Sequence, residues 1–364
     1  MTRVSMTGAD GFLGWHTKIA LREHESQVAS FKVGDAFDID SARAAMSGAA
    51  QAIHIAGVNR ASETEVRDGN ISFAQQFADA LTTTEQPPVR VVFANSTQAT
   101  NGSVYGDAKL EAADILAHAA AKVGAEFVDV RLPNIFGEHG RPFYNAVTST
   151  FCHLLANGGS PTVDTDKELT LLHAQNAADL LIGTVPVAEQ SSLEARSTVS
   201  GLLAKLVSIA DTYRHGEIPT VEDSFSRDLF NTYKSYLVGE GMPISLTRHA
   251  DPRGSFFEIV RSHGGSGQSS FSTTVPGISR GDHYHRRKLE RFTVLSGEAV
   301  ISMRKLFTDQ GLSFAVNGDS PVAIDMPTGW AHNITNTGDT DLYTSFWTNE
   351  IFDPNRPDTI PEAV

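Results

Sequence analysis

Four residues in the last third of the chain have side chains that bind transition metals. His283 and His285 are two positions apart, Glu290 follows them, and His332 lies in a separate stretch, PTGWAHNITN. Because side chains two apart on a strand project from the same face, the first two histidines can reach one ion together. Three imidazoles and one carboxylate suit zinc, iron, manganese, nickel or copper and do not choose among them. The alternative is a set of exposed histidines in an arginine-rich turn.

A second set of reactive side chains lies near residue 100. Tyr105 and Lys109 are four positions apart at the start of a predicted helix, so both side chains lie on one face of it. A lysine ammonium beside a phenol favours the phenolate and lowers the pKa of the tyrosine. The pair would then donate and accept a proton during carbonyl reduction. Ser96, at the end of the preceding predicted strand, would add a hydrogen bond to the substrate oxygen.

The elements that must position the tyrosine begin with a glycine-rich turn, TGADGFLG, between a short apolar strand and a helical stretch. Gly8 permits the tight turn, Gly11 lets the backbone approach a pyrophosphate at the positive end of the helix, and Gly14 lets that helix pack on the sheet. Strand-like runs then alternate with helical segments, which predicts an α/β, doubly wound parallel sheet. These runs cover residues 27–32, 50–57, 90–96 and 125–132.

The end of the second predicted strand bears on the choice of dinucleotide. A site for NAD would normally place Asp or Glu there against the ribose 2′-hydroxyl, whereas this chain has Ser30, Phe31 and Lys32. NADPH is therefore favoured, with Lys32 as the partner of the 2′-phosphate. The alternative is a solvated lysine at the end of a strand.

From residue 244 onward the pattern changes to short β-rich runs separated by Gly, Asn and Asp turns, as in all-β barrels. We therefore predict two domains. Residues 1–243 form a Rossmann-like nucleotide-binding domain, and residues 244–364 form a barrel that carries the histidines.

Composition excludes several classes of protein. A net charge of −14 over 364 residues, without a long basic stripe, argues against a nucleic-acid partner. The single cysteine excludes an intrachain disulfide and a cysteine-rich zinc module. No stretch approaches the ~20 apolar residues of a membrane span, and the N-terminus lacks the apolar region of a signal peptide. We expect a soluble cytoplasmic protein without membrane insertion.

The N-terminal motifs resemble those of the extended short-chain dehydrogenase/reductases that act on nucleotide sugars. The resemblance rests on TGxxGxxG, HIAGVN (54–59), the Ser96, Tyr105 and Lys109 set, and RLPNIFG (131–137). It implies that Asn134 and Asn145 face the sugar nucleotide. Ser96 and Tyr105 are closer in sequence than is usual in that family, so Thr97 and Thr100 stay open as substitutes for the serine. The implied cofactor-binding residues are Gly8, Gly11, Phe12, Leu13, Gly14, Lys32, Ile55, Ala56, Gly57, Tyr105, Lys109 and Pro133.

The tail resembles the cupins, which are jelly-roll barrels. The pattern is HxH, four residues, Glu, six residues and Gly297, followed by PxG, two residues and His332. The resemblance implies metal ligation by His283, His285, Glu290 and His332. A further run, DPRGSFFE (251–258), resembles the metal-free cupin epimerases of dTDP-4-keto-6-deoxysugars. It implies that Arg253 and Glu258 bind substrate, and the alternative is an arginine satisfied by that glutamate in a turn.

The whole chain resembles bifunctional capsular polysaccharide enzymes that join both domains. This resemblance implies that a zinc cupin epimerises C3 of a UDP-4-keto-2-acetamido-2,6-dideoxyhexose, and that the first domain reduces the C4 ketone with NADPH. The product would be UDP-N-acetyl-6-deoxytalosamine. We also expect a homodimer. In one alternative the cupin is a non-catalytic dimerisation or sugar-sensing module beside a reductase. In a second alternative the protein is a redox-inert NADP(H) sensor. The presence of Tyr105 and Lys109 argues against this alternative, because such sensors generally lack the pair.

Overall fold

The computed structural model describes residues 2–246, 249–251, 254–256, 259–263, 267–350 and 353–364. The chain forms two compact units. The first comprises residues 1–147 and 167–198, and the second comprises residues 148–166 and 199–364. In the part of the chain that the structure describes, no helix combines the length and the apolar character needed to cross a membrane.

The helices are α1 (Phe12–Glu23), α2 (Ile39–Met46), α3 (Glu63–Thr83), α4 (Val104–Val123), α5 (Val147–Ala156), α6 (Ala174–Ile182), α7 (Val199–Arg214) and α8 (Ser224–Lys234). The strands of the first unit are β1 (Arg3–Thr7), β2 (Gln27–Ser30), β3 (Gln51–His54), β4 (Arg90–Ser96), β5 (Glu126–Leu132), β6 (Asn134–Phe136), β7 (Glu168–His173) and β8 (Glu194–Thr198). The strands of the second unit are β9 (Ile244–Ser245), β10 (His249–Asp251), β11 (Gly254–Phe256), β12 (Gln268–Thr274), β13 (Ser279–Tyr284), β14 (Glu290–Ser296), β15 (Glu298–Lys305), β16 (Gly311–Asn317), β17 (Val322–Met326), β18 (Trp330–Asn336), β19 (Leu342–Thr348) and β20 (Ile360–Pro361).

The first unit is built on a five-stranded sheet in the order β2-β1-β3-β4-β5, and every pairing in it is parallel. Apolar clusters cover both faces, one around Phe77, Leu81 and Leu116 and the other around Leu21 and Leu180. Burial on both faces explains why the strands read as nearly continuous apolar runs. The predicted doubly wound α/β fold is confirmed. A smaller sheet, β6-β7-β8, belongs to the same unit.

The second unit contains two five-stranded sheets, β12-β19-β14-β17-β9 and β16-β15-β18-β13-β20. Their pairings are antiparallel. A core that includes Phe292, Ile301, Met303, Trp330 and Ile334 is buried in this unit. The predicted all-β, cupin-like tail is confirmed.

Helices α7 and α8, which we expected in the nucleotide-binding domain, belong to the same compact unit as the barrel. A buried ion pair explains part of this arrangement: Arg291 Nε donates to Asp325 at 2.7 Å, and Arg291 Nη1 donates to the Gly216 carbonyl at 2.6 Å just after α7. The hydroxyl of Tyr213 on α7 donates to the same aspartate. The domain boundary after residue 243 stays a prediction.

Candidate functional site

The glycine turn joins β1 to α1 in a conformation that needs two of its three glycines. Gly8 has a φ of +71°, and its carbonyl accepts from the Gly11 amide at 3.1 Å. A Cβ on Gly14 would lie 2.0 Å from the Gly8 oxygen, so a larger residue would push α1 off the turn. Gly11 is the N-cap of α1, and no side chain caps the helix there. A helix start of this kind suits a pyrophosphate, because its amides and dipole attract anions.

Three predicted cofactor segments meet at the same edge of the sheet. Strands β2 and β3 lie on opposite sides of β1, so the strand order reverses between β1 and β3. Open α/β sheets bind their ligands at the carboxyl ends of the two strands that flank such a topological switch point. The glycine turn follows β1, and Ile55, Ala56 and Gly57 follow β3. Lys32 is exposed just beyond β2, the neighbour of β1. Phe12 and Leu13 form the first turn of α1.

Two residues at this edge were missed by the sequence analysis. The Thr7 hydroxyl accepts from the Ile55 amide at 3.2 Å and from the Ala56 amide at 3.4 Å, and it lies 2.8 Å from His54 Nδ1. Burial lowers the pKa of His54 to about 3, and the charge of Lys109 adds to this effect. A neutral His54 can therefore accept from Thr7, which holds the turn after β3. The only signal in the sequence is that both residues end buried strands.

The predicted reductive set comes together in the structure. Ser96 ends β4, and Tyr105 lies in the first turn of α4, which is capped by the Ser103 hydroxyl accepting from the Gly106 amide. The Ser96 side chain lies near enough to the Tyr105 phenol to affect the pKa of the tyrosine, and the Ser96 hydroxyl accepts from the Gln98 amide at 3.1 Å. The short interval between the two residues is therefore compatible with their proximity, and the choice among Ser96, Thr97 and Thr100 stays a prediction.

The predicted effect of Lys109 on Tyr105 is wrong for this structure. Burial raises the pKa of Tyr105, the Ser96 side chain opposes that rise, and Tyr144 adds to it. Lys109 is buried, its ammonium donates to the Ala94 carbonyl at 2.8 Å, and it lies 4.1 Å from the centre of the Phe93 ring. Burial lowers the pKa of Lys109 to about 7, although Asp129 opposes this. A lysine that is only partly charged at neutral pH cannot strongly favour the phenolate.

Pro133, which is predicted to bind the cofactor, and the predicted substrate residues lie in several places. Pro133 joins β5 to β6, and the exposed Asn134 donates to the Thr170 carbonyl at 3.1 Å. Asn145 is exposed in the turn before α5. Their roles stay predictions. Arg253 and Glu258 lie outside the described residues.

The four predicted metal ligands converge within the second unit. His283 on β13 pairs in register with His332 on the antiparallel strand β18. His285 follows the end of β13, and Glu290 opens β14. One potential ligand atom from each residue lies within 4.8 Å of all the others. His285 and His332 are 3% and 0% exposed, which contradicts the alternative of exposed histidines.

Hydrogen bonds orient two of these imidazoles. His285 Nδ1 is 2.5 Å from the Asp358 carbonyl, and His332 Nδ1 is 3.2 Å from the Trp330 carbonyl. Because a carbonyl only accepts, each Nδ1 carries the proton and each Nε2 is left for a ligand. The two Nε2 atoms lie 2.9 and 3.1 Å from Glu290 Oε2. Asp358 is a second feature that the sequence analysis missed.

The electrostatics of the cluster suit a bound cation. Burial alone would raise the pKa of Glu290, but His285 and His332 hold that pKa well below its usual value. Burial, together with His332 and His285, lowers the pKa of His283 to about 4. An ionised carboxylate and a neutral imidazole are the forms that bind a metal. The donor set thus fits a transition metal ion, which His283, His285, Glu290 and His332 would hold.

Comparison with known proteins agrees with both halves of this geometry. Residues 4–185 match the NAD dependent epimerase/dehydratase family, and residues 249–360 match the polysaccharide biosynthesis C-terminal domain. The chain therefore belongs to the NAD dependent epimerase/dehydratase family and carries a second domain of the polysaccharide biosynthesis type.

A full-length relative makes the resemblance more specific. The crystal structure of the capsular polysaccharide assembling protein CapF from Staphylococcus aureus is 32% identical, covers 100% of both chains and has a TM-score of 0.62. A Pseudomonas aeruginosa protein named UDP-2-acetamido-2,6-beta-L-arabino-hexul-4-ose reductase is 29% identical and covers 100% of this chain and 99% of its own. UDP-glucose 4-epimerase from Thermotoga maritima, at 14% identity and a TM-score of 0.52 over 64% of this chain, shows the fold alone. The predicted resemblance to the capsular polysaccharide enzymes is confirmed.

Proposed function

We propose that this chain is a bifunctional nucleotide-sugar enzyme of surface polysaccharide synthesis. The barrel epimerises C3 of a UDP-4-keto-2-acetamido-2,6-dideoxyhexose, and the first unit reduces the C4 ketone to UDP-N-acetyl-6-deoxytalosamine. The observation that carries this proposal is the presence of two separate constellations in one chain, the Ser96 and Tyr105 pair and the four-ligand cluster at Glu290. The relatives named CapF and hexul-4-ose reductase, which match over the full length, support the same conclusion.

The chemistry links both sites to one ketone. A carbonyl at C4 acidifies the hydrogen at C3, so a base together with an electrophile near the ketone oxygen can invert that carbon. A metal ion held within the barrel by His283, His285, Glu290 and His332 would supply the electrophile.

The reductive step uses the first unit. NADPH, when bound, supplies a hydride to C4. Tyr105 donates the proton to the C4 oxygen, and Ser96 hydrogen-bonds that oxygen and orients the phenol. A phenol whose pKa is raised by burial is protonated at neutral pH, which is the form that a proton donor requires. The glycine turn and the first turn of α1 hold the pyrophosphate.

A second candidate is a single-activity reductase whose cupin only dimerises or senses sugar. Strand β12 is at the edge of its sheet, and Phe271 on β12 is 68% exposed. Tyr343 on β19 is 50% exposed and lies on the same face, because Phe271 pairs with Ser345. An exposed apolar face beside a sheet edge supports a homodimer, which both candidates share.

Product NMR separates the two candidates. The substrate is UDP-4-keto-2-acetamido-2,6-dideoxyhexose in D2O, with and without NADPH. Without NADPH, we expect deuterium to enter C3 of the substrate. With NADPH, we expect a product that is inverted at C3 and reduced at C4. A product that is reduced at C4 but carries no deuterium and no inversion at C3 would instead support the single-activity reductase.

Protein purified without chelators should contain about one transition metal ion per chain, most readily zinc, because imidazole and carboxylate are both ligand types that zinc binds. Elemental analysis of freshly purified protein measures the ratio. Dialysis against a chelator is the control and should remove the ion together with C3 exchange. Protein without any metal would instead place the tail with the metal-free epimerases.

Replacing Lys32 with Glu should narrow or reverse the preference for NADPH over NADH. Loss of a charge-assisted contact of about 1.5–3 kcal/mol corresponds to about ten- to a hundredfold weaker NADPH binding. Fluorescence titration with both dinucleotides gives the ratio, and Lys122→Glu, an equal charge change at an exposed lysine near the end of α4, is the control. An unchanged ratio of NADPH to NADH affinity would show that Lys32 does not bind the 2′-phosphate, and it would not contradict the proposed dinucleotide site.

A further inference from the structure

The C-terminal segment, residues 353–364, lies along the strand that carries the two spaced histidines. Within it, β20 pairs with β13 in antiparallel register, with Pro361 opposite His283. The Glu362 amide donates to the Asp282 carbonyl at 2.9 Å. At its far end, Arg304 Nη2 donates to Glu362 Oε1 at 2.9 Å and to the Ala363 carbonyl at 2.7 Å. The segment is thus attached on both sides of the ligand-bearing strand.

Asp358 in this segment contacts His285 through its carbonyl and the following turn through its carboxylate. Its carbonyl accepts from His285 Nδ1 at 2.5 Å. Its carboxylate is fully buried and accepts from the amides of Arg286, Arg287 and Lys288 at 3.1, 2.9 and 2.8 Å. The Arg287 guanidinium lies 3.7 Å from the same carboxylate. Hydrogen bonds from backbone amides to an ionised carboxylate are stronger than hydrogen bonds between neutral groups. These three hydrogen bonds therefore compensate for the burial of the Asp358 charge.

The three amides belong to the turn that separates two ligands. His285 precedes this turn, and Glu290 follows it at the start of β14. The turn therefore sets where the carboxylate lies relative to the imidazole, and the carboxylate of Asp358 holds the turn. A φ of +45° at Asp358 directs its carbonyl and carboxylate at once toward the histidine and the turn. Aspartate and asparagine adopt this left-handed region more readily than most residues.

We propose that Asp358 is a positioning residue of the metal centre, acting through His285 and the 286–288 turn. This inference rests on the proposed metal site. Partners outside the ligand set fix the tautomer and the orientation of ligating histidines, and their loss typically costs about 10- to 100-fold in metal affinity. The C-terminal segment is accordingly part of the metal site, although it is more than sixty residues from Glu290 in sequence.

Two substitutions separate the contacts. Asp358→Asn keeps the size of the side chain and tolerates the left-handed φ, but it removes the charge that three amides share. Asp358→Gly removes the carboxylate, relieves any backbone penalty at this φ, and retains the carbonyl that orients His285. Glu362→Gln is the matched control, because it removes the charge from a contact of the same segment that does not touch the ligand turn.

The experiment measures zinc and cobalt dissociation constants of the full-length protein by competition with a chromophoric chelator. Visible spectra of the cobalt forms and thermal unfolding of the metal-free forms are recorded in parallel. Both Asp358 variants should bind metal about 10- to 100-fold more weakly, and their cobalt d–d bands should shift. Glu362→Gln should match the wild-type protein. Changed spectra identify a positioning effect, because a loss of general stability would leave the bands of the remaining holo-protein unchanged.

Three results would contradict the inference. If the folded Asp358 variants had the metal affinity and the spectra of the wild-type protein, Asp358 would not be a positioning residue. The proposed metal site would be unaffected by that result. An equal loss in Glu362→Gln would show that docking of the whole segment matters, and not Asp358. Absence of metal binding by the wild-type protein would instead overturn the proposed metal site.

Discussion

The Tyr105→Phe variant should lose NADPH oxidation by about 10²–10⁴-fold, the usual contribution of a general acid, while solvent deuterium still enters C3 of the keto substrate. Enolisation at C3 requires no hydride, and the metal ligands are covalently remote from Tyr105. Tyr105 is partly buried in the first turn of α4, and phenylalanine removes only its hydroxyl, so the variant should fold. The measurements are NADPH absorbance and deuterium NMR on the same preparation.

The control for this variant is Tyr343→Phe, which alters an exposed tyrosine of the barrel and should leave both rates unchanged. If Tyr105→Phe also lost C3 exchange, with its fold and metal content intact, epimerisation could not be assigned to the barrel. A single-site mechanism would then have to replace the two-site proposal.

The double variant His283→Ala with His285→Ala should show the opposite pattern. Loss of two of four ligands abolishes tight binding of the ion, so metal content and C3 exchange should both fall to background. NADPH binding should persist, because the glycine turn, Lys32 and the turn after β3 belong to the other compact unit. The C3-inverted product should not form, while slow reduction of the unepimerised ketone continues.

This double variant is compared with His215→Ala, which removes an exposed histidine of the same unit. Metal analysis, C3 exchange and dinucleotide titration are run on both proteins. Retention of C3 exchange by the metal-free double variant would show that epimerisation does not require the metal cluster. Loss of NADPH binding would indicate that the substitution affects the whole chain.

The sequence by itself determined the parts of this protein that depend on local spacing. Periodicity in the strands, three glycines at a turn and the i, i+4 relation of Tyr105 and Lys109 are set by backbone geometry, so the α/β sheet and α4 were predictable. The two-residue spacing of His283 and His285 likewise follows from the pleat of a strand. The spacing of the four predicted metal ligands and their resemblance to the cupin pattern predict the cluster that the structure shows.

The tertiary structure decided what depends on burial and on partners distant in sequence. Burial of Lys109 against the Ala94 carbonyl, and of Tyr105 beside Ser96, reversed the expected direction of the Tyr105 pKa. Desolvation is a property of everything packed around a group, and no spacing encodes it. The bond from His285 to Asp358 spans 73 positions. Such a contact exists only because β20 pairs with β13, and strand pairing is set by the whole sheet rather than by neighbours in sequence.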